Sequence, residues 1–245
     1  MSTAAGEDER PVDCPPSECA RRLLETVRAD EDPTPYRRRL ATYDGDDLDR
    51  LREDRAVALA AWTNLYNAGT QLLLDERPAL YDSRLRFLRF FRADCLTVAG
   101  TPLSLNDVEH GLLRGRSAVG LGYLPRLRAG EFERRHRLDE LDPRVHFALN
   151  CGAGSCPAIR SYHHERIDDQ LDLATRTYLS NTVTYDPEAG VARVPRLFLW
   201  YRGDFGGGDG VRDLLRRYDA VPENATPRLK HRRWDWSRQA AKFVD

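Results

Sequence analysis

The sequence predicts an α+β fold, a helix-rich single domain with a small antiparallel sheet. Several stretches carry apolar residues at the period of an amphipathic helix, and one stretch has the alternation and turn residues of a β-hairpin. The chain has 245 residues, enough for one large core, and shows no internal repeat. Together these observations favour a globular domain built from helices and a few short strands.

The first part of the chain is expected to precede the main domain. Residues 1–16 are small, acidic and contain proline, a composition typical of a disordered leader. An amphipathic helix follows, with Ser17 as its expected N-terminal cap, and a Pro-x-Pro sequence at 33–35 breaks it. We assign residues 17–45 to an N-terminal helical extension and residues 46–240 to the main domain.

The strongest helix prediction falls on REDRAVALAAWTNLYNAGTQLLLDERP, which Pro78 ends. One helical face is apolar, whereas Asn64, Asn67 and Gln71 share another face at i, i+3 and i+7. Carboxamides that are buried need hydrogen-bond partners. This row either orients an imidazole and donates to a developing oxyanion, or forms a polar network that fixes helix packing.

Two further elements precede a glycine-rich loop. The sequence SRLRFLRFFRADCLTVAG predicts an amphipathic helix that runs into a short strand. The next stretch, TPLSLNDVEHGLLRG, predicts a helix with Ser104 as its cap and Asp107 three residues on. His110 and Arg114 are four residues apart and therefore lie together on a face distinct from the apolar one.

The sequence VHFALNCGAGSCP raises the main functional question. Val145, Phe147 and Leu149 alternate with other residues at the period of a half-buried strand. Cys151 and Cys156 follow, with glycines between them, and the proline after the second cysteine suits the first turn of a helix. The segment is therefore predicted to present a thiol at the end of a strand.

The last third of the chain predicts alternating helices and strands. A long helix is expected from Ile167 to about Asn181, and TVTYDPEAGVARV predicts a hairpin around a Pro-Glu-Ala-Gly turn. A further helix is expected near 209–218. The sequence RRWDWSRQ, residues 232–239, is expected to form one more strand.

Composition argues against several classes of partner and cofactor. Basic and acidic residues number 38 and 39, so no overall field favours nucleic acid or an anionic membrane. No stretch approaches the roughly 18 consecutive apolar residues of a membrane span, and the acidic N-terminus has no secretory hydrophobic segment. We therefore expect a cytoplasmic protein with free thiols, and we assign no cofactor.

Cys156 is the candidate nucleophile. A glycine-rich loop can turn N–H groups toward a sulfur and stabilise its thiolate, although cysteine is also a common inert core residue. His146 and His110 are rival candidates for the base that activates the thiol. The alternatives, a reactive or a structural thiol, remain open from the residues alone.

The cysteines also allow a metal or redox site. Cys151 and Cys156 form a Cys-x4-Cys pair, and Cys14 and Cys19 form a second one. Two such pairs would supply four ligands to zinc, although strong zinc signatures use tighter spacings. A redox pair made of Cys151 and Cys156 alone lacks the usual Cys-x-x-Cys spacing.

Several stretches, in order along the chain, resemble the domain of unknown function 547 family. They cover roughly residues 50–238 and read AWTNLYNAGT, VEHGLLR, DPRVHFALNCGAGSCPAIRSY, QLDLA, LFLWYRGDF and WDWS. The family's hallmark patterns fall on Trp62, Asn64, Tyr66, Asn67, Glu109, His110, Arg114, Asp142, Arg144, His146, Cys151 and Cys156. The resemblance implies no established activity. It implies that the two cysteines, the two histidines and the asparagines form one shared constellation.

Residues and resemblance together define the expected site. Catalytic roles are expected for Cys156, His146, His110 and Asn64. Binding roles are expected for Asn67, Glu109, Arg114, Arg144, Cys151, Tyr201 and Asp204. No residue is assigned as a metal ligand.

Three functional hypotheses follow from this site. The first is a thiol-dependent hydrolase or acyl transferase, broadly papain- or transglutaminase-like, acting on a small molecule or peptide. In it Cys156 attacks, a histidine is the base and Asn64 orients or stabilises an oxyanion. The second is a non-enzymatic interaction or regulatory domain, and the third is a metal or redox role for the cysteine pair.

Overall fold

A computed structural model describes residues 12–82 and 88–244 of the chain. Its helices are α1 (Pro16–Arg28), α2 (Thr34–Thr42), α3 (Asp49–Glu53), α4 (Arg55–Glu76), α5 (Asp107–Leu113), α6 (Glu131–His136), α7 (Ile167–Thr182), α8 (Leu197–Trp200) and α9 (Gly207–Arg217). Its strands are β1 (Asp94–Val98), β2 (Thr101–Ser104), β3 (Thr184–Asp186), β4 (Val191–Val194) and β5 (Arg228–His231). The α+β prediction is confirmed, with helices forming most of the regular structure. No helix of the described residues is both long and apolar enough to cross a membrane.

Helix α4 is the centre of the fold. The side chain of Asp54 caps it by accepting hydrogen bonds from the N–H groups of Ala56 and Val57, at 2.8 and 3.2 Å. Every residue from 57 to 74 is buried, so the helix is enclosed on all sides rather than on one apolar face. Helix α1 packs along α4, and the carboxamide row of α4 is therefore inside the protein.

The N-terminal part of the chain packs onto this core. Residues 1–11 of the expected leader lie outside the described residues, whereas Cys14 is buried and its carbonyl accepts a 2.5 Å hydrogen bond from the Tyr43 hydroxyl. Helix α1 begins at Pro16, and Ser17 is a buried residue of the helix rather than its cap, so that prediction is wrong. Proline in the first turn replaces the cap because its missing N–H would have no partner there anyway. The domain boundaries at 17–45 and 46–240 stay predictions.

Two small sheets flank the helices. Strands β1 and β2 form an antiparallel pair, and β3 and β4 form the predicted hairpin. Strand β5 adds to β4 in parallel, which makes the second sheet mixed. The expected strand at 232–239 is wrong, because β5 ends at His231 and the exposed chain beyond it leaves the sheet. Part of the helix expected before β1, residues 83–87, lies outside the described residues.

The predicted strand at 145–149 is also wrong. Residues Pro143–Phe147 form a short 3-10 turn that the Asp142 side chain caps by accepting from the Arg144 N–H at 2.9 Å. Val145, His146 and Phe147 are all buried, so the segment has no solvent-exposed face. The alternation of apolar residues therefore does not correspond to a half-buried strand. Val145 belongs to the core around α4, and Phe147 to a second core around α7, α8 and α9. His146 thus sits where the two cores meet.

Candidate active site

A cavity of about 510 Å³, here called the central cavity, gathers most of the chemistry that the sequence singled out. It opens between the 143–147 turn, α4, α5, α8 and the C-terminal chain. Its polar and aromatic lining consists of Tyr66, Phe91, Arg92, Asn106, Glu109, His110, His146, Cys151, Cys156, Trp200, Tyr201, Trp234 and Trp236. The structure therefore brings Cys156 and both candidate bases to one cavity. It leaves Asn64 outside.

The loop between the cysteines wraps one sulfur. The sulfurs of Cys151 and Cys156 are 2.7 Å apart, and the Cys151 N–H donates to the Cys156 sulfur at 3.2 Å. All five cysteines are free thiols. Gly152 makes the turn with φ of +83°, and a Cβ there would lie 2.8 Å from the Leu74 side chain. The helical turn expected after Cys156 is wrong, because residues 157–163 are irregular, so loop N–H groups replace a helix N-terminus.

The two thiols are shifted in opposite directions. Burial by itself raises the pKa of Cys156, but the Cys151 thiol, the N–H groups of Cys151 and Ala153 and the nearby Lys242 ammonium lower it below its ordinary 9.0. The hydrogen bond to Cys156 and burial raise the pKa of Cys151. Cys156 is therefore the thiol of the pair that ionises more readily and Cys151 its donor, which makes Cys156 the better nucleophile.

The C-terminal segment, residues 232–244, holds this loop in place. Gly154 donates its N–H to the Ser237 carbonyl at 2.9 Å, and Gln239 donates to the Gly152 carbonyl at 2.7 Å. The ammonium of Lys242 donates to the carbonyls of Gly154 and Cys156 at 3.0 and 2.5 Å. The segment thus engages three loop carbonyls and the Gly154 N–H, and the N–H groups of Cys151 and Ala153 remain for the sulfur.

His146 is held by a carboxylate. Its Nε2 lies 2.8 Å from Oδ2 of Asp204, and the same oxygen accepts from Nε of Arg114 at 2.7 Å. Burial would raise the pKa of Asp204, but the hydrogen bonds from His146 and Arg114 keep it below its ordinary value, so Asp204 is ionised. An ionised carboxylate only accepts, so Nε2 of His146 carries the proton and Nδ1 has the free lone pair.

The same arginine determines the state of His110. A guanidinium donates and never accepts, so the contact between Arg114 Nη1 and His110 Nδ1 makes that nitrogen the acceptor. Burial and the Arg114 charge lower the pKa of His110 to about 4, although Glu109 opposes the shift. At neutral pH His110 is therefore uncharged with its proton on Nε2. Such a ring donates a hydrogen bond but has no lone pair available as a base.

The tautomers separate the two rival bases. Burial and Arg114 lower the pKa of His146 too, against the effect of Asp204, so it is neutral and able to accept a proton at Nδ1. Tyr201 stacks on its ring with centroids 4.0 Å apart and donates its hydroxyl to Glu109 at 2.7 Å. The guanidinium of Arg114 also lies over the Tyr201 ring, 4.6 Å from the ring centre. His146 is thus oriented with a nitrogen that can accept a proton, whereas His110 can only donate a hydrogen bond.

The carboxamide row serves the fold rather than the cavity. Asn64 donates to the Tyr162 carbonyl at 2.8 Å and accepts from the Tyr162 N–H at 2.9 Å. Asn67 does the same between Ala148 and Asn150, at 3.0 and 2.9 Å. Both amides are occupied by backbone, so neither can orient an imidazole or meet a substrate. We remove Asn64 from the catalytic set and Asn67 from the binding set.

Arg144 also lies elsewhere. Its guanidinium pairs with Asp142 at 2.6 Å and Asp172 at 2.9 Å, and it contacts Asp168 as well. These groups border another surface depression and do not line the central cavity. The expected binding role of Arg144 has no support in this position, whereas its ion pairs join the 143–147 turn to α7.

The four cysteines of the zinc hypothesis do not lie together. Cys14 and Cys19 lie beside Tyr43 and α2, whereas Cys151 and Cys156 line the central cavity. Within residues 12–82 and 88–244, no group of three or more His, Cys, Asp or Glu side chains is placed to hold a metal ion.

Sequence reasoning missed several residues of the site. No site role is predicted for Tyr66, Trp234 or Trp236, but all three line the central cavity. The family-like stretches AWTNLYNAGT and WDWS contain them, which was the available signal. No sequence signal points to Lys242, apart from its being one of only two lysines in the chain.

Comparison with known proteins identifies the family without an activity. The family model described as "Protein of unknown function, DUF547" matches residues 50–179, which include the carboxamide row, His110, His146 and both site cysteines. No curated protein matches the chain significantly, and no solved structure does. The match spans more than half of the sequence, so this chain belongs to the DUF547 family.

Proposed function

We propose that the protein is a cysteine-dependent acyl hydrolase or acyl transferase, with Cys156 as nucleophile and His146 as base. Asp204 orients the imidazole, and Arg114 is a positioning residue that keeps Asp204 charged. The observation that carries the proposal is that one cavity contains a thiol cradled by N–H and S–H donors and an imidazole whose only free nitrogen is basic. His110 Nε2–H takes over the oxyanion-donor role first expected for Asn64.

The reaction proceeds through a thioester. The Cys156 sulfur attacks the substrate carbonyl carbon, and His146 Nδ1 takes the proton of the Cys156 thiol. The bond to the leaving group then breaks, and the leaving atom receives the proton from His146. Water or an acceptor alcohol or amine attacks the thioester, gives its proton to His146, and releases the Cys156 sulfur with its bonding electrons. In the described residues, the hydrogen-bond partners of the Cys156 sulfur all lie in its own loop. The proton therefore passes between Cys156 and His146 through the reacting groups bound in the cavity.

Acyl transfer from an activated ester tests this proposal. Purified protein is mixed with p-nitrophenyl acetate, nitrophenolate release is followed, and acetylated peptides are mapped by mass spectrometry. We expect one acetyl group on Cys156, none in Cys156→Ala, and acylation slower by about 100-fold in His146→Gln.

Two matched variants serve as controls. Cys95→Ala removes a buried thiol outside the cavity whose pKa burial raises to about 12, and His164→Gln removes an exposed histidine. Both should acylate at the wild-type rate, with unfolding midpoints measured for every variant. Acetylation that persists in Cys156→Ala, or a Cys156 that is never acetylated, contradicts the proposal.

A second candidate function is supported by the sulfur contact. At 2.7 Å, Cys151 is placed to resolve a mixed disulfide on Cys156. The Cys156 thiolate would attack a substrate disulfide and release one thiol, and Cys151 would then displace the second thiol. The substrate disulfide is reduced and the cysteine pair is oxidised. The Cys151→Ser variant separates the two functions, since it would trap the mixed disulfide but still form the acyl enzyme.

We extend the proposal to location. All five cysteines are free thiols, which is typical of a reducing compartment and fits the cytoplasmic site expected from the sequence.

A further inference from the structure

A second cavity of about 460 Å³ lies on the other side of Cys156. It shares Cys156, Pro157 and Trp234 with the central cavity, so the residue that carries the thiol borders both spaces. We call it the cationic cavity, because its lining includes Arg160, Arg196, Arg232, Arg233 and Lys242. The remaining lining supplies neutral donors such as Asn181 and Thr182.

The charge of this cavity is one-sided. No aspartate or glutamate is among its lining residues. In the described part of the chain, no carboxylate lies within ion-pairing distance of Arg196, Arg233 or Lys242. One carboxylate lies close by, that of Asp235, which accepts the Ser237 N–H at 2.9 Å and can offset only one of the five cations of the lining.

Elsewhere arginines are commonly paired. Arg144 contacts three carboxylates, and Arg126 pairs with Asp107 and Glu133 at 2.9 and 2.7 Å. With a net charge of only −1, the chain has enough carboxylates to neutralise its cations locally. A cavity beside the proposed nucleophile whose lining contains five cations and no carboxylate is therefore suited to an anionic ligand.

The cations are of a type that recognises oxyanions. Guanidinium groups bind carboxylates and phosphates through two parallel hydrogen bonds, and a lysine ammonium adds a point charge. Lys242 contacts the Cys156 carbonyl, so the charge reaches the residue that carries the nucleophile. An anion in this cavity would place the atoms attached to it next to the sulfur.

We propose that the cationic cavity binds an oxyanion group, phosphate or carboxylate, of the acyl substrate that Cys156 attacks. The inference rests on the function proposed above and narrows its substrate to an anionic acyl compound. The central cavity, with its aromatic walls and His146, then holds the reacting carbonyl and the rest of the molecule.

Paired alkylating reagents test the inference on the full-length protein. Iodoacetate is anionic and iodoacetamide is neutral, and both alkylate the same sulfur. The rates at Cys156 are measured by peptide mass spectrometry at low ionic strength and expressed as the iodoacetate/iodoacetamide ratio. We expect this ratio to exceed that of a small free thiol by about ten-fold and to fall as salt is added.

Charge removal supplies the matched comparison. The double variant Arg196→Gln/Arg233→Gln should bring the ratio close to that of the free thiol. Arg217→Gln, which removes an exposed cation from α9 outside both cavities, should keep the wild-type ratio. Protection from iodoacetamide by inorganic phosphate or by acetate, compared at equal ionic strength, distinguishes a phosphate-bearing from a carboxylate-bearing substrate.

The outcomes separate the two proposals. A Cys156 that reacts rapidly with iodoacetamide but shows no preference for iodoacetate, with no protection by either anion, overturns this inference and leaves the acyl-transfer proposal standing. A Cys156 that reacts with neither reagent overturns both. A high ratio that survives in the double variant also overturns the assignment of the cavity.

Discussion

At the scale of single residues, Cys151 and Cys156 divide the roles of donor and nucleophile between them. Burial disfavours a thiolate on either sulfur. The loop offsets this cost for Cys156 alone, because Cys151 gives it both an S–H and an N–H donor. The chemical difference between two cysteines of one loop is thus decided by which one the N–H groups face.

Replacing Cys151 should change the acidity of Cys156. In Cys151→Ala the thiol donor is lost, so we expect the pKa of Cys156 to rise, whereas Cys151→Ser keeps a hydroxyl donor and should raise it less. The pH dependence of iodoacetamide labelling at Cys156 gives both midpoints, with Cys95→Ala as control. Equal midpoints in wild type and Cys151→Ala would contradict the role of Cys151 as donor.

Residue type predicted Cys156 and His146 but not the division of labour between the histidines. The sequence shows two imidazoles, and either can be a base. The buried side chain of Arg114 makes the distinction. It donates to Nδ1 of His110, and it also bonds the Asp204 carboxylate, which accepts from Nε2 of His146. Ninety residues separate Arg114 from Asp204, so no local pattern contains this contact.

At the scale of elements, the site depends on a loop with no regular structure of its own. The 151–156 loop is fixed from below by α4, whose Leu74 meets Gly152, and from the side by the C-terminal segment. Asn67 of α4 also bonds the backbone at Ala148 and Asn150, just before the loop. The buried carboxamides therefore support the nucleophile by fixing the chain that carries it.

Gly152→Ala should both destabilise the protein and impair the thiol. The substitution combines a positive φ with a Cβ 2.8 Å from Leu74, so we expect a loss of about 2–4 kcal/mol in unfolding free energy. Gly190→Ala is the matched control, because its φ is +59° with nothing within 4 Å of the added carbon. It should cost only about 1 kcal/mol and leave Cys156 labelling at the wild-type rate. Urea unfolding that ranks the two variants equally would contradict the packing argument.

At the scale of the whole molecule, the site combines residues inside the region that the family model matches with residues that follow it. The family match ends at residue 179, yet Tyr201, Asp204, Trp234, Trp236 and Lys242 complete the cavity or hold its loop. The proposed nucleophile Cys156 lies inside the matched region, and Asp204, which orients the proposed base His146, lies outside it. The two cores must therefore dock before the site exists, since His146 sits at their junction.

Enclosed neutral histidines should make the fold sensitive to acid. The pKa of His110 is about 4 in the folded protein and 6.5 ordinarily, so the unfolded chain binds more protons between these values. Unfolding free energy should therefore fall as pH drops from 6.5 to 4, by about 3 kcal/mol from His110. Below that window the loss continues, because the pKa values of Asp204 and Glu109 are lowered in the folded state and their stabilisation disappears as they protonate.

Urea unfolding at a series of pH values measures this dependence. His110→Gln should flatten the slope between pH 6.5 and 4, whereas His164→Gln, an exposed substitution, should not. A wild-type slope retained in His110→Gln would show that His110 is not the group that titrates.

The sequence by itself determined the class of fold, the central helix, the β-hairpin and the residue types of the site. These follow from local properties: apolar periodicity, turn residues and the chemistry of cysteine and histidine. Tertiary structure alone decided that residues 143–147 are a turn, that Asn64 bonds backbone, and that Cys156 borders a cavity lined by five cations. The reason is that burial, tautomer and charge balance depend on neighbours distant in sequence, such as Tyr162 for Asn64 and Asp204 for His146.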